Sequence, residues 1–390
     1  MSTSYDVIVI GAGSMGMSAG YHLAKNKVKV LLMDKFDPPH AAGSHHGETR
    51  LIRHAYAGSS TYTAMALRAD HLWKELEESS GQRLLVRSGV LNMGVAESLN
   101  LGSKLKSTAA FGLKVDQLDA DEIRKRWPGV NPPDAYIGLY EEDAGFLYSE
   151  ACVRAYRQQA IAEGARLLVN TPVTSIKIGK SGVTVQTLDG AYHADQLILS
   201  AGAWFSRLNA IIELPIRSIR KAVAWFKSDE SLYDSARFPG FTFGAENGGF
   251  YGFPSIDGSG VKIGRHDAGQ LWKPGQPFEP FGHYAEDEKD LRQALEAFLP
   301  QAAGQVLRGA VCKYELTPDE HFIIDRHPEH AHVLVACGFS GHGFKFASVV
   351  GEILSDLSSE GTTEQDISPF ALSRFSTRAN YSIKFNLPNK

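Results

Sequence analysis

The chain has 390 residues, of which 43% are hydrophobic, and its 40 basic side chains nearly balance its 44 acidic ones, leaving a formal charge of -4. This length is enough for a large buried core and predicts about two domains. The balanced charge argues against a nucleic-acid-binding protein, which needs a concentrated basic face, and no stretch approaches the ~18 apolar residues of a membrane helix.

The first predicted unit is a strand, a glycine-rich turn, a helix and a second strand. Residues 5–10 are a short apolar run, typical of a strand that is buried on both faces. The turn GAGSMG follows, residues 15–24 read as a helix, and residues 28–33 read as a strand that ends at Asp34. MSTSY leads directly into the first strand without the pattern of a signal peptide, so we expect a cytoplasmic protein.

The glycine-rich turn has the spacing G-x-G-x-x-G. Gly11 permits a tight turn, Gly13 lets the backbone approach a pyrophosphate, and Gly16 allows close packing of helix on strand. The helix N-terminus offers unpaired N–H groups to the pyrophosphate, and Asp34 can accept hydrogen bonds from an adenosine ribose. The unit predicts a dinucleotide site, with a purely structural turn as the alternative, but it does not separate NAD from FAD.

A cluster of cations follows this unit. Residues 44–56 read SHHGETRLIRHAY and include Arg50 and Arg53. A planar guanidinium can bind a carboxylate through two parallel hydrogen bonds. Neutralising an ammonium of pKa ~10 at pH 7–8 costs about 3–4 kcal/mol, and a fixed cation ~7 Å away repels it by roughly 2 kcal/mol at a dielectric of ~20. The cluster therefore fits an enzyme that binds an acid and discharges an ammonium; a solvated helix-face arginine is the alternative for Arg53.

Later elements alternate between two patterns. Buried strands around 196–200 and 332–336, the second followed by a helix over 345–357, continue the dinucleotide-binding pattern. Residues 215–315 instead carry long alternating strands, typical of an antiparallel sheet. We predict an α/β (α+β) fold in which a Rossmann-like domain is interleaved with a substrate domain built on an antiparallel sheet. The predicted boundaries are 1–85, 149–215 and 316–390 for the Rossmann-like domain, and 86–148 and 216–315 for the substrate domain.

Eight motifs, in the same order along the chain, carry a family resemblance. They are GAGSMG, FDPPH, GSHHGETRLIRHAY, YGFPS, VKIGRH, GAVCKY, TPDEHFIID and GFSGHGFKFAS. Over nearly its whole length, the chain resembles the family of monomeric sarcosine oxidase and N-methyltryptophan oxidase. The resemblance implies that FAD is the cofactor of the Rossmann-like domain.

The resemblance also implies a reaction. An FAD oxidase of this kind oxidises the secondary amine of a small N-methyl amino acid, with sarcosine as our first choice of substrate. Oxygen takes the electrons and becomes hydrogen peroxide, and the imine hydrolyses to formaldehyde and the demethylated amino acid. The family name suggests a monomer, and we expect neither a nucleic-acid nor a membrane partner.

Four alternatives stay open. Stretches such as VRSGV, RKAVAWF and SPFALSRF are more similar to N-methyltryptophan oxidase, so N-methyl-L-tryptophan is the second candidate substrate. An FAD amino-acid dehydrogenase would pass the electrons to an acceptor other than oxygen. A flavin-binding protein without activity, or a nicotinamide-dependent enzyme if no flavin binds, are the remaining classes.

Roles for the cationic residues follow from the same resemblance. Arg53 and Lys345 would hold the substrate carboxylate, and Arg50 would lie against the flavin ring. Lys262 would assist the reaction with oxygen, because a nearby ammonium stabilises the negative charge that arrives; an exposed strand lysine is the alternative. His266, four residues further along VKIGRH, shares a face with Lys262 if the segment is a strand, and would position the substrate amine.

One of three cysteines matches a family attachment site. Cys312 lies where the family links its flavin covalently, with a buried, inert thiol as the alternative. Cys152 and Cys337 carry no such signal, and the three cysteines have neither metal-type spacing nor the number for a disulfide framework. No metal site is therefore expected. Tyr251 and Tyr314 would line the pocket, with core tyrosines as the alternative.

The last glycine-rich motif, GFSGHGFK, leads into the predicted C-terminal helix. Gly338, Gly341 and Gly343 would let the backbone approach the flavin, and the helix N-terminus would stabilise negative charge on the reduced ring. A strand-to-helix turn needs the same glycines, so the two interpretations are compatible. We also assign Ser44 and Val173 to the cofactor site.

Overall fold

The computed structural model describes residues 4–58, 60–246 and 248–375. Among these residues the helices are α1 (Ser14–Lys25), α2 (Ser60–Ser80), α3 (Leu101–Phe111), α4 (Ala120–Arg126), α5 (Ser149–Ala162), α6 (Glu230–Tyr233), α7 (Glu286–Phe298) and α8 (Ala347–Ser359). The strands are β1 (Ser4–Ile10), β2 (Val30–Met33), β3 (Thr49–Ile52), β4 (Leu85–Val86), β5 (Val90–Gly94), β6 (Asp116–Leu118), β7 (Ile137–Glu141), β8 (Gly145–Tyr148), β9 (Arg166–Leu168), β10 (Val173–Ile178), β11 (Val183–Thr187), β12 (Gly190–Leu199), β13 (Arg217–Phe226), β14 (Gly240–Ala245), β15 (Gly248–Phe253), β16 (Val261–Arg265), β17 (Gln270–Trp272), β18 (Val306–Leu316), β19 (Ile323–His327) and β20 (His330–Cys337).

An eight-stranded sheet carries the glycine-rich turn at the end of β1. Its order is β10-β11-β12-β1-β2-β9, with β20 paired to β12 and β19 paired to β20. The strands β9, β2, β1, β12 and β20 run parallel, whereas β10, β11 and β19 are antiparallel additions. Val7, Ile8 and Val9 of β1 are completely buried, because a central parallel strand is covered on both faces. The predicted Rossmann-like unit is confirmed.

Helices cover one face of this sheet. The helices α1, α2, α5 and α8 share one apolar core with β1 and β2, in which Leu23, Trp73 and Val350 are buried. The helices α1 and α8 approach closely, since a Cβ at Gly351 would lie 2.1 Å from the hydroxyl of Ser18. Among the described residues, the structure has no helix both long and apolar enough to cross a bilayer.

The second large sheet has nine strands. Its order is β17-β13-β16-β15-β14-β5-β7-β6, and β18 also pairs with β13. Helix α7 packs against it through residues such as Leu295 and Phe298, and the Phe298 ring stacks on Phe243 with their centroids 4.3 Å apart. The predicted antiparallel pattern holds with one difference, a parallel pair formed by β5 and β14. These strands come from separate segments, so no hairpin dictates their relative direction.

A small third sheet contains part of the cationic segment, residues 44–56. Strand β3 pairs with β8, which also pairs with β4. Arg50 lies on β3, and Arg53 lies in the loop directly after it. Arg53 is therefore not on a helix, and the alternative of a solvated helix-face arginine does not apply.

The two large sheets use alternating segments of the chain. The first sheet draws on residues 4–33, 166–199 and 323–337, and the second on residues 90–141 and 217–316. The α/β (α+β) fold is thus confirmed, while the boundaries proposed for the two domains stay a prediction. The interleaving brings the strand ends of the first sheet opposite the second sheet, where the cavity described next is found.

Candidate active site

A cavity of about 1360 Å³ lies between the strand ends of the first sheet and the second sheet. It is larger than the ~300–1,000 Å³ of a typical small-molecule site, so it has room for a large cofactor and a small substrate together. Most of the predicted site residues line it: Gly11, Gly13, Asp34, Ser44, Arg50, Arg53, Val173, Tyr251, His266, Cys312, Tyr314, Gly341, Gly343 and Lys345. Gly16, Gly338 and Lys262 do not line it.

The glycine-rich turn is as tight as its spacing predicts. Gly11 has a φ of 92°, and a Cβ there would lie 2.5 Å from the carbonyl oxygen of Ser200. A Cβ at Gly16 would lie 2.0 Å from the carbonyl oxygen of Gly11. Gly16 is thus needed for packing of α1 on the turn, while Gly13 and Ser14 present the start of α1 to the cavity.

The carboxylate of Asp34 is held at the end of β2. It accepts hydrogen bonds from the backbone N–H of Ala12 and of Phe36, both at 2.9 Å. The ring of His40 approaches it at 3.3 Å. Because a carboxylate has about four lone-pair sites, Asp34 retains capacity to accept hydroxyl groups from the cavity that it lines.

Arg50 is fixed by backbone carbonyls. Its guanidinium donates to the carbonyl oxygens of Ser44 at 2.8 Å, His46 at 2.7 Å and Thr49 at 2.7 Å. No carboxylate among the described residues forms an ion pair with it. The positive charge is therefore held in place at the cavity wall without a compensating anion in contact.

Lys262 lies behind this wall. It is 2% exposed, so it is not an exposed strand lysine. Its ammonium donates to the carbonyl oxygen of Gly47 and to the hydroxyl of Thr49, and it lies 4.6 Å from the ring centroid of Phe253. Burial, and after it the charge of Arg50, lowers the pKa of Lys262 well below its usual range.

Two further cations that face the cavity lie next to the same tyrosine, Tyr56. Arg53 donates to the side-chain oxygen of Asn92 at 2.8 Å and lies 5.6 Å from the ring centroid of Tyr56. Lys345 donates to the Tyr56 hydroxyl at 3.0 Å and to the carbonyl oxygen of His342 at 3.1 Å. Burial, and then the charge of Arg53, lowers the pKa of Lys345 well below its usual range. Within the described ranges, neither cation is paired with a carboxylate, so both can bind one.

A buried network supports the loop that carries Arg53. The carboxylate of Glu141 accepts hydrogen bonds from the backbone N–H of His54 at 3.0 Å and of Ala55 at 2.8 Å. The His54 ring lies 3.6 Å from Glu141 and 3.3 Å from Asp70. Glu141 and Asp70 were not predicted, because they are remote in sequence and belong to no motif.

This network makes one testable prediction about stability. Burial opposes the charged ring, but the carboxylates of Asp70 and Glu141 beside it raise the pKa of His54 to about 9. The folded pKa exceeds the unfolded value of ~6.5, so ionised His54 contributes about 3 kcal/mol to the free energy of unfolding. This contribution is complete below pH ~6.5 and is lost as the pH rises through 9. We expect His54→Asn to flatten the fall in unfolding free energy between pH 6.5 and 9, measured by urea denaturation. His71→Asn, at an exposed position of α2, should keep the wild-type slope; equal slopes in all three proteins would contradict the assignment.

The opposite wall comes from β15, β18 and the residue after β16. Tyr251 and Tyr314 are hydrogen-bonded to each other, and burial raises the pKa of Tyr251 to about 12 and that of Tyr314 well above its usual range. The ring of His266 lies 5.6 Å from that of Tyr314. Burial, and then the charge of Lys221, lowers the pKa of His266 to about 4, so this imidazole is neutral at pH 7. Cys312 is buried beside them as a free thiol.

Many residues that line the cavity were not predicted as site residues, including three titratable groups that bear on ligand binding. Lys104 belongs to α3, Glu315 to β18, and His342 to the GFSGHGFK motif. Burial raises the pKa of Glu315 to about 7. One carboxyl oxygen of Glu315 and one ring nitrogen of His342 are buried without a hydrogen-bond partner among the described residues. No spacing rule marks Lys104 or Glu315 in the sequence.

The residues present fit a flavin dinucleotide. The glycine turn and the start of α1 suit a pyrophosphate, and Asp34 suits ribose hydroxyls. The unpartnered polar atoms of Glu315 and His342 are of the kind that a polar ring system would satisfy, because buried polar groups are normally hydrogen-bonded. The fixed charges of Arg50, Arg53 and Lys345 remain available for anionic groups.

Comparisons with known proteins agree with this fit. Residues 6–357 match the family model described as DAO, FAD dependent oxidoreductase. The chain is 50% identical over 378 residues to a monomeric sarcosine oxidase from Bacillus sp. (strain B-0618), covering 96% of this chain and 97% of the relative. It is 44% identical over 373 residues to an N-methyl-L-tryptophan oxidase from Salmonella agona (strain SL483), covering 95% and 99%.

Solved structures support the same fold. The L-proline dehydrogenase from P. horikoshii superposes with a TM-score of 0.84 at 22% identity, covering 96% of this chain and 99% of that chain. The glycine oxidase from Geobacillus kaustophilus superposes with a TM-score of 0.80 at 23% identity, covering 96% and 99%. At this level of identity, the likeness concerns the fold alone.

Proposed function

The chain belongs to the DAO family of FAD-dependent oxidoreductases, and from that premise we propose that it oxidises the secondary amine of a small N-methyl amino acid. The observation that carries the proposal is the pair of cations, Arg53 and Lys345, that face the cavity without a carboxylate partner among the described residues. A carboxylate is the group that such a pair selects. Sarcosine is the first candidate substrate, in agreement with the names of three relatives that are 47–50% identical to the chain.

When bound, FAD accepts the two electrons of the amine oxidation. The protein residues bind and orient the substrate: Arg53 and Lys345 hold its carboxylate. The positive charges of Arg50 and Arg53 disfavour an ammonium nearby and so favour the neutral amine, whose lone pair the oxidation needs. His266 is neutral, so it can accept a hydrogen bond from the amine without adding to the repulsion.

We propose oxygen as the electron acceptor and hydrogen peroxide, formaldehyde and the demethylated amino acid as the products. The buried ammonium of Lys262, which donates to Gly47 and Thr49 next to Arg50, supports oxygen because such a donor can stabilise negative charge on the acceptor. A dehydrogenase that uses another acceptor would be reduced by the amine without forming peroxide on aeration. We also propose a monomer, in agreement with the relatives' name, and the three buried free cysteines suit a reducing compartment such as the cytoplasm.

N-methyl-L-tryptophan is the second candidate substrate. Apolar residues that could face an aromatic side chain, among them Met93, Phe243 and Phe250, line the cavity near the second sheet. The relatives from Salmonella that carry this substrate in their name are 44–45% identical to the chain. The direct test mixes the purified yellow protein with sarcosine, N-methyl-L-tryptophan and glycine without air, follows bleaching of the flavin, and then measures peroxide on aeration. Bleaching by neither methylated amino acid would refute both candidate substrates.

We further propose that the flavin is attached to Cys312 by a thioether. The thiol lines the cavity, Lys221 is its partner across β13 and β18, and Lys313 follows it in the chain, which gives the cationic surroundings typical of reactive cysteines. After acid precipitation, we expect the yellow colour to stay in the pellet for the wild type and to move to the supernatant for Cys312→Ser. Cys337→Ala, which removes a buried thiol of β20, should retain the colour in the pellet. Release of all flavin from the wild type would refute the attachment.

A further inference from the structure

Helix α3 carries a lysine that turns towards the substrate end of the cavity. Lys104 is half-buried and lines the cavity close to Ser98 and Leu99, whereas Lys106 on the same helix is exposed. Within residues 4–58, 60–246 and 248–375, no carboxylate pairs with the Lys104 ammonium and no oxygen accepts a hydrogen bond from it. A half-buried ammonium without a protein partner keeps its N–H donors available to a ligand. A ligand with an acceptor at this point would engage these donors.

The charges around Lys104 indicate what that acceptor is. Burial, and then the charge of Arg53, lowers the pKa of Lys104 to about 8, so most of the side chain is still charged at pH 7. Glu141 is the nearby carboxylate, but it is 3% exposed and already binds the backbone N–H groups of His54 and Ala55. Glu141 therefore partly compensates the charge of Lys104 from behind the cavity wall, but it forms no ion pair with the Lys104 ammonium.

The substrate end of the cavity thus has one cation more than a simple amino acid needs. Arg53 and Lys345 lie next to Tyr56 and are assigned to the α-carboxylate. Sarcosine has no other anionic group, so it would leave Lys104 without a partner. A second carboxylate on the substrate side chain would satisfy the unused donors and balance the extra charge.

We propose that Lys104 binds a side-chain carboxylate, and that the preferred substrate is the N-methyl derivative of an acidic amino acid. This inference rests on the proposed function and specifies its substrate class. The reaction itself is unchanged: the N-methyl group and the amine together lose two electrons and two protons, oxygen takes up both pairs as hydrogen peroxide, and water cleaves the resulting imine to formaldehyde and the primary amine. The second carboxylate is bound but takes no part in bond making or breaking.

The test compares four substrates in three proteins. Wild type, Lys104→Met and Lys106→Met holoenzymes are mixed without air with sarcosine, N-methyl-L-alanine, N-methyl-L-aspartate and N-methyl-L-glutamate, and the bimolecular rate constant of flavin bleaching is measured. For the wild type, we expect at least one acidic substrate to exceed N-methyl-L-alanine by about tenfold or more, as for one charge-assisted hydrogen bond. Lys104→Met should lose that advantage and keep its rate with N-methyl-L-alanine within about threefold, a change too small to reflect a lost ion pair. Lys106→Met should behave as the wild type.

Binding provides a second readout that needs no turnover. Glutarate and acetate are titrated into each holoenzyme, and the change in the visible flavin spectrum gives their dissociation constants. We expect Lys104→Met to weaken glutarate binding and to leave acetate binding unchanged. Equal weakening of both anions would overturn the inference, since it would mean that Lys104 only attracts anions in general. Acidic substrates no better than N-methyl-L-alanine in the wild type would also overturn it, while the amine-oxidase function would stand. Bleaching by none of the four substrates would refute the function itself.

Discussion

Replacing Arg53 with methionine is expected to raise the dissociation constant of the amino-acid substrate by about 100- to 1,000-fold. Each charge-assisted hydrogen bond contributes about 1.5–3 kcal/mol, and each 1.4 kcal/mol changes an equilibrium constant about tenfold. The guanidinium is oriented before substrate binds, because Asn92 accepts from one of its nitrogen atoms at 2.8 Å and Tyr56 lies beneath it. The remaining donors are then free for a carboxylate.

The measurement is the substrate dependence of flavin bleaching without air, which separates the dissociation constant from the limiting rate. Arg53→Lys should fall between the wild type and Arg53→Met, because it keeps the charge but loses the planar pair of donors. Arg83→Met removes an exposed arginine and serves as the control for a loss of net charge. An unchanged dissociation constant in Arg53→Met would show that the carboxylate binds elsewhere.

Replacing Lys262 with methionine is expected to slow the reaction of the reduced enzyme with oxygen by about 100-fold or more. A fixed charge or donor directed at developing negative charge typically contributes a factor of 10²–10³. The ammonium is held by Gly47 and Thr49 in a buried position, so it needs no rearrangement when the charge develops. Bleaching by the amine should slow by less than about tenfold, because Lys262 is not part of the cavity wall that receives the substrate.

A second buried lysine provides the matched control. Lys221 on β13 is also 2% exposed, and its ammonium donates to the carbonyl oxygens of His266 and Ala268. Lys221→Met should lower stability and flavin attachment, but in the protein that retains flavin it should cause no selective loss of the oxygen reaction; Lys262→Arg should recover part of the rate. Equal slowing of reduction and reoxidation in Lys262→Met would refute its assigned role.

Site residues were predicted most accurately where the pattern lies in residues that are adjacent in sequence. The turn around Gly11 and Gly16 could be inferred from spacing, because it depends on a strand, a turn and a helix that are adjacent in sequence. The alternation of the two strand patterns likewise predicted two interleaved sheets. The parallel pairing of β5 with β14 could not be inferred, because it joins segments about 150 residues apart for which strand propensity gives no direction.

The electrostatic environment of the candidate active site could mostly not be predicted from the sequence. Nothing in the sequence connects Glu141 with His54, although 87 residues apart they form the network behind Arg53. Glu315 follows a recognisable motif residue, yet only its packed surroundings leave one carboxyl oxygen buried and unpartnered. A pKa depends on burial and on neighbouring charges, and both arise only when distant segments are packed together.

The sequence by itself determined the nucleotide-binding turn, the two kinds of sheet and the cationic character of the site, because strand periodicity, glycine spacing and side-chain charge are properties of adjacent residues. Only the tertiary structure decided which cations are free. It pairs Arg87 with Asp70 and anchors Lys262 on backbone carbonyls, but leaves Arg53, Lys345 and Lys104 facing one cavity. Whether a charge is available to a ligand depends on what the fold places beside it.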